Sequence, residues 1–173
     1  MLWQVIAVTV DDVAVEVTLT CQGSHQHLLY SQPYRLEQKI RFSSAQESAF
    51  EQTLIMHNES DEAVKFTGAL HSYFQVSSPL YTSVPGLNTL KFDDKNTLLK
   101  SQQDKLEDCV GPIDRIYHSH GHNTQQIKDS GWQRIIEVES SHCQQWVLWN
   151  PGEEVAKSMT DVHAGGESEY VCL

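Results

Sequence analysis

The stretch FTGALHSYFQVS, residues 66–77, decides the fold expected for this chain. Its apolar and aromatic residues predict a β-strand, whose side chains alternate between two faces. The face expected in the core carries Phe66, Gly68, Leu70, Ser72, Phe74 and Val76. The other face carries Thr67, Ala69, His71, Tyr73 and Gln75. His71 therefore lies in the middle of a polar and aromatic face, which would either line a polar-ligand cleft or simply face solvent.

Strand-like segments dominate the rest of the chain. Residues 2–9 and 13–19 flank the turn-forming VDD, and the alternating segments 34–42 and 50–57 follow. TLKFDDKNTLL predicts two short strands, and IDRIYHSHGH, WQRIIEVES and QQWVLWN predict three more, whereas PGEEVAKSMTDV predicts at most a helical turn. This pattern indicates an all-β, antiparallel sandwich in a single domain over residues 1–173. The tryptophans expected to pack its core, rather than to form a sugar-binding platform, are Trp3, Trp132, Trp146 and Trp149.

The charge of the chain restricts its partners. It has 12 basic and 23 acidic residues, a formal net charge of −11, and no cluster of Lys or Arg. Nucleic acids and anionic membranes require a basic surface, so neither is an expected partner. An anionic ligand would require a few basic residues gathered locally at its site.

The cellular compartment is predicted from three features. No apolar run approaches the ~20 residues of a transmembrane helix, and no basic segment precedes the first strand as in a signal peptide. Cys21, Cys109, Cys143 and Cys172 are scattered, without a C-x-x-C pair. We therefore expect reduced thiols in a cytoplasmic protein.

HSHGHN places three imidazoles two residues apart, at His118, His120 and His122. In a strand all three would face one side, and imidazole is a common zinc ligand. However, the Gly and Asn indicate that the strand ends here, and no matching Asp, Glu or Cys spacing accompanies it. We interpret these residues as a solvated strand end and predict no metal and no cofactor.

Four carboxylates are candidates for chemistry. In PIDRIY, alternation sends Asp114 and Arg115 to opposite faces. Asp114 belongs either to a surface ion pair or to a buried site that binds ligand hydroxyls or a catalytic histidine. In VLWNPGEEVAKSMTD, Glu153, Glu154 and Asp161 are candidate general acid or base groups, although loop carboxylates are usually just solvated.

Three of these motifs together suggest a family. FTGALHSYFQVS, IDRIY and LWNP…AKSMTD…YVCL, in this order and spacing, resemble the hexose-6-phosphate mutarotases, the glucose-6-phosphate 1-epimerase branch of the aldose 1-epimerase family. The resemblance covers residues 51–173, and LWQVIAV near the start also fits it. It implies an antiparallel β-supersandwich of the galactose mutarotase type, here partial, with the sugar in a concave cleft.

The resemblance also implies a mechanism and a set of site residues. His71 matches a histidine that acts as general acid on the ring oxygen, and Asp114 matches an active-site aspartate. Tyr73 and Gln75 are expected to contact the substrate beside His71. The reaction interconverts the α and β anomers of a hexose 6-phosphate and needs neither metal nor nucleotide.

The sequence departs from the family pattern in three places. The family glutamate that acts as general base directly follows the YVCL segment, which here ends at Leu173. Sugar- and phosphate-binding His and Arg residues lie before Leu2 in the family. We therefore expect the C-terminal two-thirds of a mutarotase-like domain, cut at both ends, with exposed apolar surface and weak or no activity. Trp149-Asn150-Pro151-Gly152 also differs from the usual W-N-P-W, which predicts a weaker aromatic wall.

Two other functions remain open from the sequence. The first is a non-catalytic carbohydrate-binding β-sandwich that kept the cleft but lost the base. The second is a structural or interaction domain in which His71 is only a surface residue. Exposure of His71 in a site beside Asp114 would argue against the second.

Overall fold

A computed structural model of the protein describes residues 2–23, 32–44, 49–118, 121 and 123–173. Antiparallel strands dominate these residues, and the only α-helix they contain has five residues. The strands are β1 (Gln4–Val10), β2 (Ala14–Gly23), β3 (Tyr34–Ser43), β4 (Ala49–Asn58), β5 (Tyr73–Gln75), β6 (Thr82–Ser83), β7 (Phe92–Asp94), β8 (Ile113–His118), β9 (Thr124–Asp129), β10 (Arg134–Glu139), β11 (Gln145–Asn150) and β12 (Tyr170–Cys172). The helix α1 is Gly152–Ala156, and short 3-10 helices span Pro79–Tyr81, Pro85–Thr89 and Gly166–Ser168. The predicted all-β, antiparallel class is confirmed.

The chain divides into two compact units, Met1–Leu70 and His71–Leu173. The single domain over residues 1–173 stays a prediction. Of the helices in the described ranges, none has the length and apolar character needed to span a membrane.

The first unit holds one antiparallel sheet with the strand order β1-β2-β3-β4. Its first hairpin forms at the predicted VDD turn, because the Asp11 carboxylate accepts hydrogen bonds from the backbone N–H groups of Val13 and Ala14, at 2.8 and 2.7 Å. All seven residues of β1 are exposed. The large apolar side chains exposed in this unit include Val5, Ile6, Val8, Val10, Phe42 and Phe50.

The second unit is a sandwich of two antiparallel sheets. The five-stranded sheet has the order β5-β12-β11-β8-β7 and the three-stranded sheet the order β10-β9-β6. Residues from both sheets and their loops form one buried cluster: Val76, Val84, Leu87, Leu90, Phe92, Cys109, Ile113, Tyr117, Ile127, Trp146, Leu148 and Val171. One face of the five-stranded sheet is therefore core, and we call the opposite face the outer face.

The strand predicted over residues 66–77 is much shorter than expected. Only Tyr73–Gln75 forms a strand, and Phe66 and Leu70 are 58% and 38% exposed rather than in the core. A strand requires a neighbour for its backbone N–H and C=O groups, and in the described ladders this segment pairs only where β12 lies opposite. From His71 to Val76 the predicted alternation holds, with Phe74 and Val76 directed to the core.

The structure differs from the sequence prediction in two further strands. TLKFDDKNTLL forms only β7, because the Asp94 carboxylate accepts from the N–H groups of Asn96 and Thr97 and turns the chain away. The sequence reading also missed β9, where Gln125, Ile127 and Asp129 are the buried positions. Two of those three are polar, so the apolar alternation that signals a strand is absent.

Candidate active site

Four strands align one residue each in a row across the outer face. The register pairs Tyr73 with Cys172, Cys172 with Trp149, and Trp149 with Asp114. Residues directly opposite each other in a sheet share a face. The core residues Leu148 and Val171 alternate with this row, so the row points away from the core.

His71 lies next to this row, two residues before Tyr73. It is exposed, and its ring stacks on the Tyr73 ring with centroids 4.9 Å apart and an interplanar angle of 21°. The Trp149 ring approaches it edge-on at 5.5 Å and 77°. On a third side, Nδ1 lies 2.8 Å from the Cys172 Sγ atom. Three neighbours from three strands therefore hold one imidazole ring.

Tyr170 completes an aromatic wall beside His71. Its ring lies 5.0 Å from that of Tyr73 at 64°, and it stacks on Trp149 at 6.2 Å and 21°. Tyr170 lies opposite Gln75 in the β12–β5 ladder, so the predicted residue Gln75 is on the same face. Rings arranged in this way present an apolar surface, as the C–H groups of a sugar require, while the Tyr170 hydroxyl itself is buried.

Burial keeps the Cys172 thiol and the Tyr73 and Tyr170 hydroxyls of this site protonated. It raises the pKa of the Cys172 thiol to about 12. It also raises the pKa of Tyr170 to about 12, and the neighbouring Tyr73, Cys172 and Asp161 act in the same direction. The pKa of Tyr73 is also raised, mainly by burial and to a smaller extent by Cys172 and Asp161. The two tyrosines and the cysteine are therefore neutral hydrogen-bond donors near pH 7.

Asp114 shares the outer face but is not in contact with His71. It is half-buried opposite Trp149, and three strand spacings of about 4.8 Å place it roughly 14 Å from Tyr73. Trp149 therefore lies between His71 and Asp114. From the alternation of the two strands and the family resemblance, we predict that the two side chains project into one cleft within one sugar diameter of each other.

Arg115 is on the opposite face, as alternation predicted. Its guanidinium lies over the Phe92 ring at 4.1 Å, with Asp94 and Asp104 at 3.8 and 3.6 Å. The acidic neighbours of Arg115 on this face are therefore Asp94 and Asp104, whereas Asp114 lies opposite Trp149 in the row on the outer face.

Of the other candidate groups, Glu153, Glu154 and His118 have local partners. Glu153 and Glu154 in α1 both pair with Lys157, at 3.0 and 2.7 Å. His118 lies 3.4 Å from Asp93 and contacts Gln145. His120 and His122 lie outside the described residues, so the predicted absence of a metal at these histidines stays a prediction.

The tryptophan prediction was wrong for three of the four residues. Only Trp146 is in the core, while Trp3 and Trp132 are 41% and 48% exposed. Trp149 is three positions from Trp146 on β11 and therefore on the outer face. The reason is that side chains alternate between the two faces along β11, so Trp146 and Leu148 point inward and Trp149 points outward.

Two cavities lie away from this face. One of about 270 Å³ is lined by Pro85, Gly86 and residues of β9, and one of about 450 Å³ lies within the first unit near Phe42 and Phe50. Neither includes any residue of the aromatic wall. We favour the outer face as the site because the exposed imidazole, the aromatic rings and the carboxylate of Asp114 are found there together.

A sequence model of the family described as Aldose 1-epimerase matches residues 1–173. The chain belongs to the aldose 1-epimerase family, which confirms the resemblance found in its motifs.

Relatives from two bacteria agree with this assignment. A protein named "Putative glucose-6-phosphate 1-epimerase" from Escherichia coli (strain K12) is 32% identical over 116 residues, 66% of this chain and 39% of that protein. A protein of the same name from Salmonella typhimurium (strain LT2) is 29% identical over 172 residues, 99% of this chain and 56% of that protein. The chain thus spans about half the length, or less, of these relatives.

A solved structure confirms the fold. The crystal structure of a "putative mutarotase (YeaD)" from Salmonella typhimurium superposes with a TM-score of 0.81 at 27% sequence identity. The match covers 98% of this chain and 55% of that structure.

Proposed function

We propose that the protein interconverts the α and β anomers of a hexose 6-phosphate by general acid–base opening of the sugar ring. Family membership supports the reaction class, and the names of the two bacterial relatives support glucose 6-phosphate as the substrate. The observation that carries the proposal is the exposed imidazole of His71, held by Tyr73, Trp149 and Cys172 on the aromatic outer face.

In this mechanism His71 donates a proton to the ring oxygen while a base removes the proton of the anomeric hydroxyl. The bond between C1 and the ring oxygen breaks, and C1 becomes a carbonyl carbon. Rotation about C1–C2 presents the other face of the carbonyl, and the reverse proton transfers close the ring. Such reversible transfers require two groups at two different oxygens, so His71 is one of a pair. The family resemblance gives the other as a glutamate.

The remaining residues of the outer face would bind the substrate. Tyr73, Tyr170 and Trp149 present aromatic surface to the C–H groups of the pyranose. Gln75 and Asp114 offer hydrogen-bonding groups to its hydroxyls. Trp149 would lie under the sugar, between the acid and Asp114.

Composition supports the rest of the proposal. An acidic chain without a Lys or Arg cluster fits a small-molecule substrate, and neither nucleic acid nor an anionic membrane is a proposed partner. We also propose a cytoplasmic protein that uses no metal and no cofactor. That these 173 residues by themselves catalyse weakly stays a prediction.

The test is anomer exchange in glucose 6-phosphate, measured by NMR exchange spectroscopy with the full-length gene product. We expect acceleration over the spontaneous rate, and a loss of roughly 10²–10⁴-fold in His71→Asn, because that variant lacks the general acid. His142→Asn is the matched control: His142 is exposed in a turn at φ 63°, a conformation that Asn tolerates.

Two results would contradict the proposal. Unchanged exchange in His71→Asn would remove His71 from the mechanism. Binding of glucose 6-phosphate without any acceleration by the parent protein would favour the non-catalytic carbohydrate-binding alternative.

A further inference from the structure

Cys172 is in contact with the proposed general acid, and sequence reasoning gave it no role. Its side chain is buried beside the His71 ring, with 3% of the residue exposed. Sγ lies 2.8 Å from His71 Nδ1 and donates to the Ser72 carbonyl oxygen at 3.0 Å. A buried thiol placed between an imidazole nitrogen and a carbonyl oxygen constrains where the hydrogens can be.

The hydrogens of this group can be assigned by counting donors. The thiol has one hydrogen, and its sulfur accepts only weakly. The Ser72 carbonyl has no hydrogen to donate, so its bond with Cys172 must use the S–H hydrogen. The bond between Sγ and Nδ1 must then use a hydrogen on Nδ1. In neutral His71 this leaves Nε2 with a lone pair, and no described residue bonds that atom.

We propose that Cys172 is a positioning residue that holds a hydrogen on Nδ1 of His71 and so makes Nε2 the atom that exchanges protons with the substrate. The inference rests on the proposed function, in which His71 is the general acid. The atom that a histidine protonates through is set by the hydrogen bond at its other nitrogen. Because Nδ1 is hydrogen-bonded to Sγ of Cys172, His71 donates its proton to the substrate and takes it back at Nε2.

The ring contacts support the same arrangement. Stacking on Tyr73 and the edge contact with Trp149 restrict rotation of the imidazole. A 180° flip of the ring would replace Nδ1 with a carbon atom at the sulfur and lose the hydrogen bond. The thiol thus selects one of two orientations that the aromatic neighbours alone would permit.

The first test measures the tautomer and does not depend on activity. Long-range ¹H–¹⁵N NMR spectra of the neutral imidazole identify which ring nitrogen carries hydrogen. We expect the Nδ1–H form in the parent protein and in Cys172→Ser, whose hydroxyl can also accept from Nδ1 and donate to Ser72. In Cys172→Ala we expect a mixture of tautomers, because no side-chain acceptor remains.

The second test measures kinetics in the full-length gene product. We expect Cys172→Ala to lower kcat for anomer exchange about 10–100-fold, with KM nearly unchanged, as for other groups that orient a reacting side chain. Cys172→Ser should recover most of this loss. Cys109→Ala is the matched control: that thiol is also buried, at 1% exposure, and also has its pKa raised to about 12 by burial. It should lose stability without changing the His71 tautomer or kcat.

The results separate this inference from the proposed function. If His71→Asn loses activity while Cys172→Ala keeps the parent tautomer and kcat, the positioning role is wrong and the function stands. If His71→Asn keeps full activity, His71 is not the general acid and Nε2 does not exchange protons with the substrate, whereas the NMR result still decides whether Cys172 sets the tautomer. If Cys172→Ala fails to fold, Cys172→Ser decides: an Nε2–H tautomer in the folded serine variant would overturn the inference.

Discussion

Trp146 and Trp149 stand three residues apart on β11 and have opposite surroundings. Trp146 is 6% exposed among apolar neighbours, whereas Trp149 contacts the rings of His71, Tyr73 and Tyr170. The same residue type therefore has two separable roles on one strand, and each serves as the control for the other.

At the residue scale, we expect Trp149→Ala to weaken binding of glucose 6-phosphate about 3–10-fold, because one aromatic contact contributes about 0.5–1.5 kcal/mol. The free energy of unfolding should change much less. Calorimetric titration and urea unfolding of the full-length gene product measure the two quantities.

Trp146→Ala should give the reverse result. Removing a buried tryptophan costs about 3–5 kcal/mol of stability, while the dissociation constant of the folded fraction should stay near that of the parent. A loss of binding in Trp146→Ala equal to that in Trp149→Ala, at temperatures where both are folded, would contradict the assignment of Trp149 to the site.

At the scale of the elements, the Asp129 carboxylate helps to join β9 to the chain after β5. Asp129 ends β9 and is 1% exposed. It accepts from the Ser77 N–H at 3.0 Å, from the Ser77 hydroxyl and from the Trp132 N–H at 3.3 Å, and it pairs with Arg134 at 3.4 Å. These contacts tie the three-stranded sheet to the five-stranded one within the second unit.

Burial alone would raise the pKa of Asp129, but the hydrogen bonds from Ser77 and Trp132 and the charge of Arg134 outweigh it, so the pKa lies below 3.8. A carboxylate with a lowered pKa in the folded state stabilises the protein above its unfolded pKa. That contribution is lost as the pH falls through the folded value.

We therefore expect Asp129→Asn to destabilise the protein at pH 7 by about 1–3 kcal/mol, the usual cost of lost hydrogen bonds to a charged group. The difference from the parent should shrink as the pH falls below 3.8, where the parent carboxylate becomes protonated. Urea unfolding between pH 7 and pH 2.5 measures this. Asp12→Asn, at an exposed position in the β1–β2 turn, is the control. A constant difference between Asp129→Asn and the parent at all pH values would contradict the role of the charge.

At the scale of the whole molecule, the two compact units differ in how they bury their strands. In the second unit, Tyr117, Ile127 and Val171 are fully buried. In the first unit, β1 is an edge strand on which Ile6 and Val10 are 56% and 72% exposed. Strands with few buried contacts open locally at low cost.

We expect hydrogen exchange of the 173-residue chain to reflect this difference. Amides of β8 and β11 should exchange slowest, since their opening requires disruption of the core, and amides of β1 should exchange fastest among the strands. The central strands β2 and β3 provide the comparison within the first unit. Protection of β1 equal to that of β11 would contradict the expectation.

Much of the fold was already determined by the sequence itself, because alternation with a period of two is a local property. It predicted β3 and β4 to within a residue or two and the β1–β2 hairpin at Asp11. It also predicted that His71, Tyr73 and Gln75 share a face, since these three residues belong to one segment. The family resemblance added the chemistry assigned to His71.

What only the tertiary structure decided is which strands lie next to that segment and in which register. Cys172, Trp149 and Tyr170 lie close to His71 because β12 pairs with both β5 and β11. In the sequence, each of these three residues is 78 or more positions away from His71. Local periodicity carries no information about such pairing, since shifting a register by one residue would turn every side chain of a strand to the other face. The same applies to β9, whose polar buried positions become intelligible only once Asp129 is seen beside Ser77. The contacts around the imidazole, and the thiol that holds its Nδ1 hydrogen, depend on that register.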